Sequence, residues 1–144
     1  MPLSPRRAPR DPSQPSAPTT HPPHALGRLG EAAAGEFLAA RGWKVLARNY
    51  RFGRREVDLV ARRDDLVAFV EVKTRAGAGY GAPEEAVTRL KQREIELVAA
   101  EYLARHRPGD VGVRFDVLAI VVGPRGVVQH IEHLEDAWRP EAPR

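Results

Sequence analysis

The sequence predicts a small α/β domain, a mixed β-sheet with helices on its faces, in the order α-β-β-β-α-β-β. Three observations carry that reading. Two segments, residues 26–41 and 84–106, repeat their apolar side chains at helical spacing. Five shorter segments have the composition of strands. The second helical segment lies between two of those strands, the pattern of a crossover connection.

Along the chain, LGRLGEAAAGEFLAAR places Leu26, Leu29, Ala33, Phe37 and Leu38 on one helical stripe and is closed by Gly42. WKVLARNY (43–50) and EVDLVAR (56–62) read as strands joined by the turn Arg51 to Arg55, and LVAFVEVKTR (66–75) follows Asp64 and Asp65 as the third strand of a meander. Its unbroken apolar start marks it as central, covered on both faces. A GAGYGAP loop (77–83) leads into the second helix, with Pro83 near its first position and Ala86, Leu90, Leu97, Val98, Tyr102 and Leu103 on its apolar face. VGVRFDVLAIVV (111–122) reads as a buried strand, GPRG as a turn and VVQHIEHL (127–134) as the last strand.

The domain is expected over residues 25–138, with a C-terminal tail at 139–144. The first 24 residues hold 8 of the chain's 13 prolines and almost no large apolar side chains, so they cannot bury enough surface to offset ordering entropy and read as a disordered tail. No apolar segment is long enough to span a membrane, the tail lacks a secretory h-region, and the chain has no cysteine. Disulfides, thiolate ligands and thiol catalysis are thereby excluded, and a cytoplasmic location is the expectation. The net charge of +4 divides evenly between tail and domain, but Arg48, Arg51, Arg54, Arg55, Arg62 and Arg63 crowd into one hairpin, a positive field suited to a polyanion. A solvated, charged hairpin is the plain alternative.

Ionised groups at the end of an otherwise apolar central strand need a reason, and Glu71 and Lys73, two residues apart, point to the same face. With a two-residue turn at Asp64-Asp65, opposed residues of the hairpin sum to 129, which sets Asp58 across from Glu71 and Glu56 across from Lys73. Val57 and Leu59 on one face with Glu56 and Asp58 on the other favour that register. Two carboxylates about 5 Å apart repel by roughly 3 kcal/mol at an effective dielectric near 20, so they call for a cation or a shared proton. Mg2+, which takes one or two carboxylates and keeps open positions for phosphate oxygens, suits Asp58 plus Glu71; Lys73 beside it is placed to orient water and offset transition-state charge. The alternative is a strand-end ion pair worth at most about 1 kcal/mol.

Asp58 followed by Glu71-Val72-Lys73 resembles the D…(D/E)-x-K motif of restriction-endonuclease-like nucleases, the Holliday-junction-resolvase-like proteins among them. More widely, LGRLGEAAAGEFLAARGWKVLARNYR, REVDLVARR, FVEVKTR, the helix with Lys91 and RFDVLAI resemble, in order, the YraN family of small bacterial proteins, over residues 26 to about 134. The resemblance implies a restriction-endonuclease-like core, with Asp58 and Glu71 binding Mg2+ (or Mn2+) and Lys73 completing the catalytic set. It also implies that Glu31 is an additional metal ligand, where an exposed helix carboxylate is the alternative, and marks Glu56, Arg75, Arg114 and Asp116 as positions that either support the site or form an ion-pair network. One departure is Arg55, where the family pattern usually has glycine.

The remaining signals are weaker. His130, Glu132 and His133 are no metal cluster, because strand positions three apart face opposite ways. Trp43, Trp138 and Tyr80 are aromatics able to stack on bases, with Trp43 better suited to the core and Tyr80 to substrate. Arg51, Arg54, Arg55, Arg75 and Lys91 are the candidate phosphate contacts, with Arg93 beside Lys91. The functional expectation is a Mg2+-dependent endonuclease acting on nucleic acid, DNA first and of branched or single-stranded form, with a homodimer as the assembly that would bring two sites to two strands. The competing expectations are a non-catalytic nucleic-acid-binding or repair-accessory module and, third, a protein-interaction adaptor.

Overall fold

The computed structural model describes residues 23–77 and 87–141. Helix α1 (Pro23–Ala40) begins two residues before the expected domain boundary and ends where Gly42 turns into the left-handed region (φ 84°), with Trp43 N–H donating back to the Leu38 carbonyl at 3.0 Å. Strands β1 (Lys44–Phe52), β2 (Arg55–Arg63) and β3 (Leu66–Ala76) form the meander, helix α2 (Arg89–His106) crosses over, and β4 (Gly112–Val122) and β5 (Val128–Trp138) complete the sheet, joined by a short 3-10 turn at Pro124–Gly126.

The five strands lie in the order β1-β2-β3-β4-β5, antiparallel except for the parallel pair β3·β4 made by the crossover. The mixed α/β architecture therefore follows the expected order. β3 is central and flanked by two apolar layers. On one side Phe69, Val67, Val57 and Val60 pack with Ile95, Val98, Ala99 and Tyr102 of α2; on the other Leu59, Ala61, Ala68, Val70 and Val72 pack with Ala34 and Leu38 of α1. No helix among the described residues is long and apolar enough to cross a membrane.

Four sequence expectations need correcting. The buried residues of α2 are Ile95, Val98, Ala99 and Tyr102, whereas Leu90 (70 % exposed) and Leu97 (49 % exposed), expected on its apolar face, point to solvent, and Ala86 lies outside the described residues. The second helix begins at Arg89, not near 84: Thr88 is extended (φ −68°, ψ 160°) and its hydroxyl accepts from Lys91 N–H at 3.2 Å, a true N-cap. The last strand runs on to Trp138, because Asp136 takes a positive φ (52°) that absorbs the irregularity and lets Trp138 pair with Phe115. Val57 and Leu59 do not share a face. Val57, paired with Tyr50, packs on the α2 side and Leu59, paired with Arg48, on the α1 side, because Asn49, which lies between those partners, adopts φ 50° and the alternation of β2 breaks at Asp58.

Candidate active site

The β2·β3 hairpin has the predicted register, Arg63↔Leu66 through Leu59↔Val70, but the ladder stops there, one step short of Asp58 and Glu71. Beyond it the Val72 amide donates to the Asp58 carboxylate at 2.7 Å. A side chain takes the place of the backbone partner, so the two strands part. β2 continues against β1 as far as Phe52↔Arg55, while β3 continues beside β4 to Ala76↔Val122. The result is a fork whose vertex is Asp58, Glu71 and Lys73.

Glu71 is the chemically unusual member. It lies 4 % exposed on the side of the sheet that α2 covers, with Lys73 Nζ 3.8 Å from Oε1 and no hydrogen-bond partner for the buried Oε2 among the described residues. Burial, reinforced by the charge of Asp58, pushes its carboxyl up to about 7, against the pull of Lys91 and Lys73. The carboxyl of Asp58 is also pushed up, by burial first and then by Glu31 and Glu56, although the Val72 amide and Lys91 oppose it. A buried acid and a half-buried one raised together are a site short of positive charge, which a shared proton or a cation supplies.

α1 brings Glu31 to the same vertex. Its carboxylate, half-buried like those of Glu56 and Asp58, has an oxygen within 4.8 Å of one on each of the other two, and it accepts from the Asn49 amide at 3.4 Å. Glu56 does not meet Lys73, as the extrapolated register predicts; it holds Arg51 at 2.9 Å and turns toward Glu31. Its place among the carboxylates was not legible, because the register argument carries it past the point where the ladder ends. The carboxylate oxygens of Glu31, Glu56 and Asp58 lie close enough together for one hard divalent cation, and Glu71, with one buried oxygen that has no hydrogen-bond partner among the described residues, adjoins them through Asp58.

The cationic candidates are distributed around this vertex. Arg51, Arg54 and Arg55 stand exposed at the β1-β2 tip and Arg75 is half-buried at the far end of β3; among the described residues no carboxylate pairs with Arg54, Arg55 or Arg75. Lys91, in the first turn of α2, is felt by both Asp58 and Glu71, whereas Arg93 is exposed. Tyr80 lies outside the described residues. Trp43 and Trp138 are buried and offer no free face for stacking.

Arg114 and Asp116 do not join the site. Asp116 pairs with Val70 in the β3·β4 register, next to Glu71, but projects from the opposite face. Fully buried, it accepts from Arg114 Nε and Nη2 at 2.8 Å each, contacts His133 Nε2 at 2.7 Å and accepts from Asp136 N–H at 3.0 Å. Burial alone would raise its carboxyl; these partners together hold it below the usual carboxylate range. The network ties β4 to β5. An open cavity of about 440 Å³ bounded by Leu66, Gly112, Phe115 and Trp138 lies at the other end of the sheet and contains none of the acidic candidates of the fork.

Fold and site thus define a small mixed α/β protein with a carboxylate cluster at a strand fork. The sequence pattern of the uncharacterised protein family UPF0102 matches residues 30–120. Similar proteins include one of Rhodococcus opacus (strain B4), 48 % identical over 79 % of this chain and 96 % of its own length, and one of Chlorobaculum tepidum, 44 % identical over 81 % and 93 %. The chain belongs to the UPF0102 family. Among solved structures, Pyrococcus furiosus SfsA in complex with Ca2+ is similar only at a TM-score of 0.30 and 13 % identity, over 78 % of this chain and 63 % of that one.

Proposed function

We propose that the chain is a Mg2+- or Mn2+-dependent endonuclease of restriction-endonuclease-like fold, hydrolysing phosphodiester bonds of nucleic acid, with branched or single-stranded DNA the first candidates. The observation that carries this reading is the buried Glu71 carboxylate beside Asp58 at the parting of β2 and β3, with Lys73 Nζ 3.8 Å from Oε1 and no hydrogen-bond partner for Oε2 among the described residues. In it Asp58 and Glu71 hold the metal, with Glu31 and Glu56 closing the acidic side. The bound metal supplies Lewis acidity to a phosphate oxygen and lowers the pKa of a water. Lys73 orients the attacking water and offsets charge as the P–O bond breaks. Lys91 lies on the substrate side of the same carboxylates, and Arg51, Arg54, Arg55 and Arg75 receive flanking phosphates. A cytoplasmic homodimer fits this reading, since cutting both strands takes two such sites.

The test is a cleavage panel of duplex, single-stranded and branched DNA and RNA with Mg2+ or Mn2+, run beside Lys73→Ala. Metal-dependent cleavage by wild type, lost in a folded Lys73→Ala protein, is the expected result. No cleavage across the panel ends the enzyme reading. Salt-sensitive binding that then survives Asp58→Ala assigns the chain to the binding modules instead.

A further inference from the structure

One exposed aromatic has no partner in this scheme. Phe52, the last residue of β1, is 43 % exposed although Tyr50, two residues earlier on the same face, is packed among Tyr102 and His106 of α2. Its ladder partner is Arg55, and between them a two-residue loop, Gly53-Arg54, reverses the chain with Gly53 at φ 62°, a value glycine adopts without steric cost. The turn is therefore tight, and it fixes the direction in which Phe52 projects.

Its surroundings are electropositive. Arg51, Arg54 and Arg55 are all exposed, and among the described residues Glu56 is the one carboxylate paired here, neutralising Arg51 alone among the three. The ribbon also forms one arm of the fork. The alternation that puts Tyr50 and Phe52 on the α2 side puts Glu71 and Lys73 on that side too, whereas Arg51 and Glu56 project to the side of α1. An apolar ring at a tight turn, with exposed Arg54 and Arg55 beside it and on one arm of the fork, has the composition of a base-stacking platform. Arginines hold the sugar-phosphate backbone, and the ring covers the face of a base.

We propose that Phe52 stacks on an unpaired base of a strand bound along this arm of the fork, and that the fork thereby selects nucleic acid strands that are single-stranded or splayed over fully paired duplex. A base inside a continuous duplex has both faces covered by its neighbours, so the ring gains its contact only where stacking is already broken. The proposal rests on the reading of the fork as a nucleic-acid site, but it concerns binding and needs no cleavage.

It is tested by fluorescence anisotropy with the full chain in EDTA, so that metal-dependent cutting cannot intervene. The probes are three labelled DNAs of one sequence: a single strand, a blunt duplex and a duplex with splayed ends. Wild type is expected to bind the single strand and the splayed end about tenfold more tightly than the blunt duplex, and Phe52→Ala to lose most of that preference while binding the duplex unchanged. Phe52→Trp should keep the preference, and its indole emission should be quenched by oligo-dT. Equal wild-type affinity for all three probes overturns the proposal. So does a Phe52→Ala loss that is the same on every probe, or a Phe52→Ala protein whose only change is a smaller mass by light scattering, which would make the ring a contact between copies. Absence of cleavage in the Mg2+ panel, with the binding preference intact, would sink the nuclease reading and leave this one standing.

Discussion

The Asp58 carboxylate accepts the Val72 amide at 2.7 Å where the β2·β3 ladder has just ended. One side chain thus does two jobs: it satisfies a strand amide left behind by the parting strands, and it faces Glu71, Glu31 and Glu56. The two jobs separate on substitution. Asp58→Asn keeps an acceptor for Val72 and removes a half-buried negative charge, so without metal its melting temperature at pH 8 should equal or exceed that of wild type. The rise in melting temperature that Mn2+ gives wild type should vanish. A thermal melt with and without Mn2+ reads both; a Mn2+ shift that persists in Asp58→Asn removes this residue from the metal set. Glu31→Gln and Glu56→Gln are each expected to weaken Mn2+ binding by about tenfold, roughly the loss of one contributing ligand interaction.

The pH dependence follows from Glu71. Its carboxyl is raised from an ordinary 4.5 to about 7 by burial and then by Asp58. The folded protein therefore holds this proton more tightly than the unfolded chain does. The stabilising contribution is full below about 4.5 and is lost as pH climbs through about 7, an effect of order a few kcal/mol. Metal-free urea melts should show stability declining over that window, and Glu71→Gln should flatten the decline. Metal binding requires the carboxylate, so the stabilisation by Mn2+ should grow from pH 5.5 to 8. A metal shift independent of pH would contradict the assignment.

Lys73 offers a cleaner division between stability and chemistry. Its side chain is 36 % exposed and its ion pair with Glu71 spans 3.8 Å, so little stability rests on it, at most about 1 kcal/mol. Lys73→Ala should melt within a few degrees of wild type yet lose cleavage by at least about a hundredfold. A large loss of stability in parallel with activity would demote it to a structural ion pair.

How much of this was legible in the sequence depends on where regularity holds. Apolar periodicity marks both helices and the central β3, though it places Leu90 and Leu97 of α2 on a buried face when both are exposed, and a two-residue turn at Asp64-Asp65 is enough to set the register for Leu59 through Arg63. Legibility ends where the ladder does. The positive φ of Asn49 and the break at Asp58 interrupt the alternation, so Val57 and Leu59 go to different faces and Glu56 to the carboxylates, which no rule of period two contains. Trp43 and Trp138 stand out in the sequence as aromatics and are core in the fold; Phe52, one ring in a run of arginines, leaves no periodic signal and emerges only from its exposure.

The Asp116 network predicts an acid limit to the fold. Its carboxyl lies below 3.8, so the stability it contributes is present above that value and is lost as pH falls through the lower folded value. Asp116→Ala should cost about 3–5 kcal/mol, because Arg114 and His133 are left against an empty position in the interior. Urea melts at pH 7 measure this directly. A cost below about 1 kcal/mol would show that the network contributes little to holding β5.

Gly30 links the fold to the chemistry. A Cβ built on it would fall on the Thr74 hydroxyl, so this glycine is what allows α1 to lie directly on β3. Glu31 is the next residue, and its reach to Asp58 depends on that close approach. Gly30→Ala should push the helix outward, costing about 1–3 kcal/mol, and should weaken Mn2+ binding because Glu31 moves with the backbone. Gly27, one turn earlier, has open space where a methyl would sit, with no atom of the described residues within 4 Å, so Gly27→Ala should instead stabilise α1 by roughly 0.5–1 kcal/mol and leave the metal untouched. Melting temperature and Mn2+ titration of the two variants separate helix propensity from helix placement. If Gly30→Ala binds Mn2+ as wild type does, Glu31 is not held in place by this contact.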